Sequence, residues 1–77
     1  MRKVFYDYKR VAALREHMGL TRRQMADALG VTYMTVSRAE KGICSIELLA
    51  KIALLFGVSL DSLVLDARQI VKNFARA

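Results

Sequence analysis

Four glycines divide this chain into segments of helical periodicity. They stand at positions 19, 30, 42 and 57, at intervals of 11, 12 and 15 residues, and the chain has no proline. Glycine often ends a helix because it adopts the left-handed backbone conformation at little cost. Apolar residues recur at three and four positions within the segments, which is the period of an α-helix. We therefore expect one all-α domain over residues 1–77.

Side chains that cap helices stand at the start of each segment. Hydroxyl and acidic groups there accept hydrogen bonds from the free N–H groups of a first helical turn. Gln24, three residues after Thr21, completes a capping box. Five helices are expected, with no convincing strand, and their predicted caps are Asp7, Thr21, Thr32, Ser45 and Ser59.

The apolar spacing also predicts which side chains face the core. The face expected for the first helix consists of Tyr8, Val11, Leu14 and Met18. The inward residues of the next two helices are expected to be Met25, Ala26, Leu29, Val36 and Ala39.

The two ends of the chain leave alternatives open. Apolar residues repeat at helical spacing from Leu60 to Phe74, which favours one long helix. The stretch "DARQ", residues 66–69, is itself a capping-box pattern that could begin a separate helix over residues 66–77. "MRKVFY", residues 1–6, fits either a short strand or a disordered basic arm.

The charge balance points to a polyanionic partner. Thirteen Lys and Arg against seven Asp and Glu give a net charge of +6 and a pI near 10.0. A compact basic domain most often binds nucleic acid, although basicity also serves solubility alone. Double-stranded DNA is therefore a candidate partner.

Few residues could support catalysis, metal binding or a disulfide. Cys44 and His17 are the single cysteine and histidine, so no internal disulfide is possible, and a zinc site, a cofactor or enzymatic activity is not expected. The longest apolar stretch, "IALLFGV", is too short to span a bilayer, and the first residues show no signal-peptide pattern. A cytoplasmic protein without membrane association is expected.

Residues 21–42 form the pattern that carries the functional prediction. A helix capped at Thr21 ends at Gly30, and the next helix is capped two residues later at Thr32. So short a turn makes the helices cross steeply, and the small Ala26 permits their close approach. This is the pattern of a helix-turn-helix, whose second helix can lie in the DNA major groove.

From about Val11 to Val64 the chain resembles the phage repressor and Cro-type helix-turn-helix family, the XRE-like regulators. The matching stretches are "LREHMGLTRRQMADALGV", "VSRAEKG" and "SIELLAKIALLFGVSLDSL". The resemblance implies a five-helix, lambda-repressor-like fold with a long or additional C-terminal helix. It also implies that Arg15 and Glu40 form a structural ion pair between the first and third helices.

The resemblance further implies which residues touch DNA. The residues expected to contact bases are Thr32, Tyr33, Met34, Thr35, Ser37 and Arg38. Those expected to contact phosphates are Arg22, Arg23, Gln24 and Lys41.

The chemistry of these side chains agrees with the roles that the resemblance implies. Arg38 can donate two parallel hydrogen bonds to guanine O6 and N7. Met34 can pack on a thymine methyl group. Tyr33 can do the same or donate to a phosphate, and its alternative is to fold back over the domain surface.

The fourth helix differs from the family in its apolar character. Leu48, Leu54 and Leu55 stand where relatives usually carry polar residues, so either the tail or a second subunit should cover them. The expected dimer interface therefore combines them with tail residues Ile70, Val71 and Phe74. Cys44 is expected to be a buried or half-buried thiol rather than a reactive one.

These patterns predict a homodimeric transcription repressor that reads a palindromic operator through the major groove. The alternative is an antitoxin or accessory factor that binds another protein and also autoregulates its operon. A purely structural helical adaptor is a third possibility, which a failure to bind any DNA at low salt would favour.

Overall fold

A computed structural model describes residues 4–65 of the chain as a small bundle of helices. Its helices are α1 (Tyr8–His17), α2 (Arg22–Leu29), α3 (Tyr33–Ala39) and α4 (Ile46–Phe56), followed by a single 3-10 turn at Leu60–Ser62. The predicted caps are confirmed, since each of the five side chains accepts a hydrogen bond from a backbone N–H in the turn that it begins.

The turn between α2 and α3 is tight because Gly30 adopts a left-handed conformation with φ of 71°. Its N–H donates to the Asp27 carbonyl at 3.2 Å, and the Val31 N–H donates back to the Ala26 carbonyl at 3.0 Å. This pair of hydrogen bonds satisfies carbonyls at the end of α2 that have no partner within the helix. The helix-turn-helix geometry predicted for residues 21–42 is therefore present.

The core lies where the four helices meet, and its most deeply buried side chains are Val11, Met25, Val36, Leu49, Ile52 and Leu63. The inward faces predicted for α2 and α3 are confirmed. The face predicted for α1 is partly wrong, because Tyr8 and Met18 are exposed and Leu14 is only partly buried. Met18 follows the last residue of α1, while the Tyr8 ring lies over Gly42, whose Cβ, if added, would meet it at 3.3 Å.

The prediction of one long helix from Leu60 is wrong over its first residues. Only the 3-10 turn forms, and Val64 instead pairs with Tyr6 in an isolated antiparallel bridge. The Leu63 carbonyl accepts from the Asp7 N–H at 2.8 Å, and the Leu65 N–H donates to the Phe5 carbonyl at 3.0 Å. A continuing helix would need both of those groups for its own ladder, so the pairing between distant segments prevents it.

The same pairing bears on the alternatives for the start of the chain only at residues 4–6. Residues 5–7 run antiparallel to residues 63–65, as the strand alternative requires, although the pairing is too short to form a sheet. Residues 1–3 lie outside the described residues. So does the separate helix considered for residues 66–77, together with the interface residues Ile70, Val71 and Phe74.

The outer surface of α4 is mixed within the described part of the chain, because Glu47 and Lys51 are exposed on it together with Leu54. Leu48 and Leu55 pack partly against the core, whereas Leu54 is 84% exposed. Cys44 is buried just before α4, as predicted.

Candidate nucleic-acid interface

Helix α3 has one buried face and one exposed face. Val36 and Ala39 are buried in the core, whereas Tyr33 and Met34 are 43% and 56% exposed. Arg38 is also exposed, at the C-terminal end of the helix. The alternation follows from the helical period, because residues 36 and 39 share one side of the helix.

The hydroxyl residues of α3 divide between capping and surface positions. Thr32 is exposed at the N-cap, where its Oγ1 accepts from the Thr35 N–H at 3.2 Å. The Thr32 and Thr35 hydroxyls also share a hydrogen bond of 2.9 Å. Thr35 and Ser37 are half-buried, so their access to a partner is more restricted than that of Arg38.

The four residues predicted to contact phosphate lie at two helix ends. Arg22, Arg23 and Gln24 form the first turn of α2, and Lys41 is exposed just after α3. The Gln24 side-chain oxygen accepts from the Thr21 N–H at 2.8 Å in the predicted capping box. The capping leaves its amide NH2 group as the donor that Gln24 could offer to a phosphate.

Glu40 connects α1, α2 and α3 through a buried carboxylate. Its Oε2 accepts from Arg15 Nε at 2.6 Å, and its Oε1 accepts from Arg22 Nε at 3.0 Å. Arg15 also donates to the Leu20 carbonyl at 2.9 Å, which fixes the turn between α1 and α2. The Arg15–Glu40 ion pair implied by the family resemblance is present, and the participation of Arg22 is a finding that the sequence did not reveal.

Glu40 directly follows the last residue of α3, so the ion pair holds Arg22 against the end of that helix. The pKa of the Arg22 guanidinium is raised, first by a hydrogen bond with the Tyr33 side chain and then by Glu40. The Tyr33 residue is 43% exposed and the Arg22 side chain is 42% exposed, so a partner can reach both. Groove contact and folding back therefore both stay predictions for Tyr33.

Sequence reasoning missed the role of Tyr6. The Tyr6 side chain is buried, and its hydroxyl donates to the carbonyl of Ala39, the last residue of α3. Burial raises the pKa of this hydroxyl, and burial likewise raises the pKa of the neighbouring Cys44 thiol to about 11. A thiol with so high a pKa is a poor nucleophile at neutral pH. The available sequence signal was the run of β-branched and aromatic residues Val4, Phe5 and Tyr6, which favours an extended segment.

The exposed charge of residues 21–42 is more positive than a count suggests. Four cationic and two acidic residues give this stretch a net charge of +2. One of the two acids is Glu40, which is buried and paired, so its charge contributes little at the surface. A surface of this sign attracts phosphate.

Metal-binding clusters and membrane-spanning helices are both absent from residues 4–65. No group of three or more His, Cys, Asp or Glu side chains is placed to hold a metal ion there. Within the same residues, no helix combines the length and the apolar character needed to cross a membrane.

Comparison with known families gives one match. A family model described as Helix-turn-helix, which covers Cro- and XRE-type regulators, matches residues 11–63. No curated protein and no solved structure matches the chain. The matched stretch includes all of α2, α3 and α4, and it is well over half of the 77 residues. The chain belongs to the helix-turn-helix family of Cro- and XRE-type DNA-binding regulators.

Proposed function

We propose that this chain is a repressor that binds a palindromic operator as a homodimer, with α3 of each subunit in the major groove. The observation that carries the proposal is the exposed face of α3. Two large apolar side chains, Tyr33 and Met34, lie on the surface beside Arg38, although the opposite face of the helix is fully buried. Base edges and thymine methyl groups offer complementary partners for this combination.

The surroundings of α3 support the same proposal. The start of α2 presents Arg22 and Arg23 beside its free backbone N–H groups, and Lys41 follows α3. Cations and helix N-termini are the groups that commonly position a protein on phosphates. In this proposal they set the register, while the side chains of α3 read the sequence.

A single helix-turn-helix reads too few base pairs to select an operator. Two copies related by a two-fold axis would place their recognition helices about 34–36 Å apart, one turn of DNA, and the site would then be palindromic. Leu54 on α4 supports such pairing, since 84% of this large apolar residue is exposed.

The same exposed leucine also favours a second candidate function. An antitoxin or accessory factor would use an apolar α4 surface to bind a different protein, and DNA binding would then serve autoregulation. The two functions differ in the partner at Leu54, so the oligomeric state of the purified chain discriminates between them.

The proposal is tested by selecting bound duplexes from a random DNA pool. We expect a palindromic consensus with half-sites one helical turn apart. Arg38→Ala should then weaken binding to the consensus by at least about fivefold, since a bidentate arginine–guanine contact contributes ~1–3 kcal/mol. The matched control is Lys9→Ala, which removes one positive charge from the exposed surface of α1, outside the residues assigned to DNA contact and to the dimer interface. Equal binding by wild type and Arg38→Ala would refute the role of Arg38, and a pool that yields no consensus would refute sequence-specific recognition.

A further inference from the structure

The segment before α1 contacts the recognition helix although it lies outside the matched family stretch of residues 11–63. Tyr6 is 3% exposed, and its hydroxyl donates to the carbonyl of Ala39. Ala39 is the last residue of α3 and is itself completely buried. The N-terminal segment thus reaches the end of α3 that carries Arg38.

The segment is fixed on its other side as well. The Asp7 N–H donates to the Leu63 carbonyl at 2.8 Å, and the Phe5 carbonyl accepts from the Leu65 N–H at 3.0 Å. These backbone bonds flank Tyr6, so its backbone cannot shift without breaking the pairing with the chain beyond α4. Leu63 is fully buried and anchors that pairing in the core.

Helix α3 needs support at this end because it is short. It has seven residues, about two turns, and an isolated helix of that length is not stable in water. The Ala39 carbonyl also accepts from the Gly42 N–H, but over a long 3.4 Å. The Tyr6 hydroxyl is therefore the stronger partner for a carbonyl that has no partner within the helix.

We propose that Tyr6 is a positioning residue for DNA recognition, whose hydroxyl holds the last turn of α3 and thereby sets the orientation of Arg38. The role rests on the function proposed above. Arg38 directly precedes Ala39, and its own carbonyl accepts from the Ile43 N–H at 3.0 Å. If the last turn of α3 loosened, the Arg38 side chain would no longer be held in one orientation, and the hydrogen bond between the Ile43 N–H and the Arg38 carbonyl would weaken.

Tyr6→Phe tests the proposal because it removes the hydroxyl and keeps the ring in the core. Amide hydrogen exchange in the absence of DNA should accelerate at Glu40 and Ile43, whose N–H groups bond within the last turn of α3, more than at Met25 in α2. Affinity for the selected operator should fall by about three- to tenfold, the effect of one hydrogen bond, while affinity for unrelated DNA stays the same.

A double-mutant cycle separates positioning from a general loss of stability. If Tyr6 acts through Arg38, then Tyr6→Phe should cost little operator affinity in an Arg38→Ala background. The control is Ile52→Val, a similarly modest change to the buried face of α4, which should lower the melting temperature and leave operator affinity unchanged.

Four results would overturn the proposal. Uniform acceleration of exchange across the helices would show that the hydroxyl supports the whole fold, as would a Tyr6→Phe protein that is largely unfolded at the assay temperature. Additive effects of Tyr6→Phe and Arg38→Ala on operator affinity would show that Tyr6 does not act through Arg38. A wild-type protein that binds no DNA would overturn this role together with the proposed function.

Discussion

At the scale of single residues, the buried carboxylate of Glu40 links three helices beside the candidate interface. Its side chain is 2% exposed and pairs with two guanidinium groups, from Arg15 and Arg22. An unpaired carboxylate near a DNA-binding surface would repel phosphate, whereas a neutralised one fixes the start of α2 against the end of α3. The two ion pairs therefore stabilise the fold and also prevent the Glu40 carboxylate from adding negative charge to the surface.

Replacing Glu40 should be strongly destabilising. We expect Glu40→Ala to lower the free energy of unfolding by ~3–5 kcal/mol, because Arg15 would keep a largely buried charge without its partner. Glu40→Gln should cost less, since an amide oxygen still accepts from an arginine. Urea unfolding followed by circular dichroism measures both changes. A loss below about 1 kcal/mol for Glu40→Ala would mean that water replaces the carboxylate easily.

Arg22 and Lys41 should differ in their effect on stability although both are predicted to bind phosphate. Each alanine substitution should reduce the slope of log affinity against log salt by about one unit for every phosphate that a subunit no longer neutralises, without altering base preference. Of the two substitutions, only Arg22→Ala should also lower the melting temperature, because Arg22 pairs with Glu40 and Lys41 is not part of that ion pair. Salt titrations on the selected operator and thermal melts provide the comparison. A changed consensus in the Arg22→Ala protein would contradict its phosphate role.

At the scale of elements, the angle between α2 and α3 depends on a turn of three residues. Gly30 allows it by adopting a φ of 71°, and Thr32 then caps α3. No heavy atom lies within 4 Å of the position that a Cβ at Gly30 would occupy. The requirement for glycine is therefore conformational and not one of space.

Gly30 substitutions should consequently follow backbone preference. Gly30→Ala should lower the free energy of unfolding by ~1–2 kcal/mol, the cost of a left-handed conformation for an L-residue. Gly30→Asn should cost less, because asparagine tolerates this conformation better. Chemical denaturation of wild type, Gly30→Ala and Gly30→Asn measures the free energy of unfolding of each and so ranks the three proteins by stability. Equal losses for alanine and asparagine would indicate that the turn changes shape instead of bearing strain.

At the scale of the whole molecule, two surfaces within residues 4–65 are candidates for contact with partners. One is the exposed face of α3 with the start of α2, and the other is the outer surface of α4. Leu54 is the most exposed large apolar side chain in the described part of the chain. Isolated exposed leucines are common, but a largely apolar helix with such a residue suggests an interface.

Dimerisation through α4 predicts a specific change of mass. Wild type should sediment as a dimer at micromolar concentration, and Leu54→Asp should give a folded monomer because a charge would be buried at the two-fold interface. Met18→Asp is the control, since it makes the same change at another exposed apolar side chain, at the end of α1. A wild type that stays monomeric both free and on DNA would refute the dimer. A dimer that survives Leu54→Asp would place the interface elsewhere.

The sequence by itself determined what depends on neighbouring residues. Thr21 with Gln24 specifies a capping box, and Gly30 followed by Thr32 specifies the stop and restart of two helices. Spacing of three and four residues placed Val36 and Ala39 inward, which left Tyr33, Met34 and Arg38 on the surface. These features follow from backbone geometry and helical period, so they can be read without knowledge of the fold.

Tertiary structure decided what depends on residues far apart in the chain. The periodicity after Leu60 favoured a long helix, but backbone bonds from Phe5 and Asp7 occupy the groups that such a helix needs. The Tyr6 hydroxyl donates to the carbonyl of Ala39, 33 positions away, and Arg22 donates to the carboxylate of Glu40, 18 positions away. Local propensity is weak, at fractions of a kcal/mol per residue, so burial and distant hydrogen bonds override it wherever the two conflict.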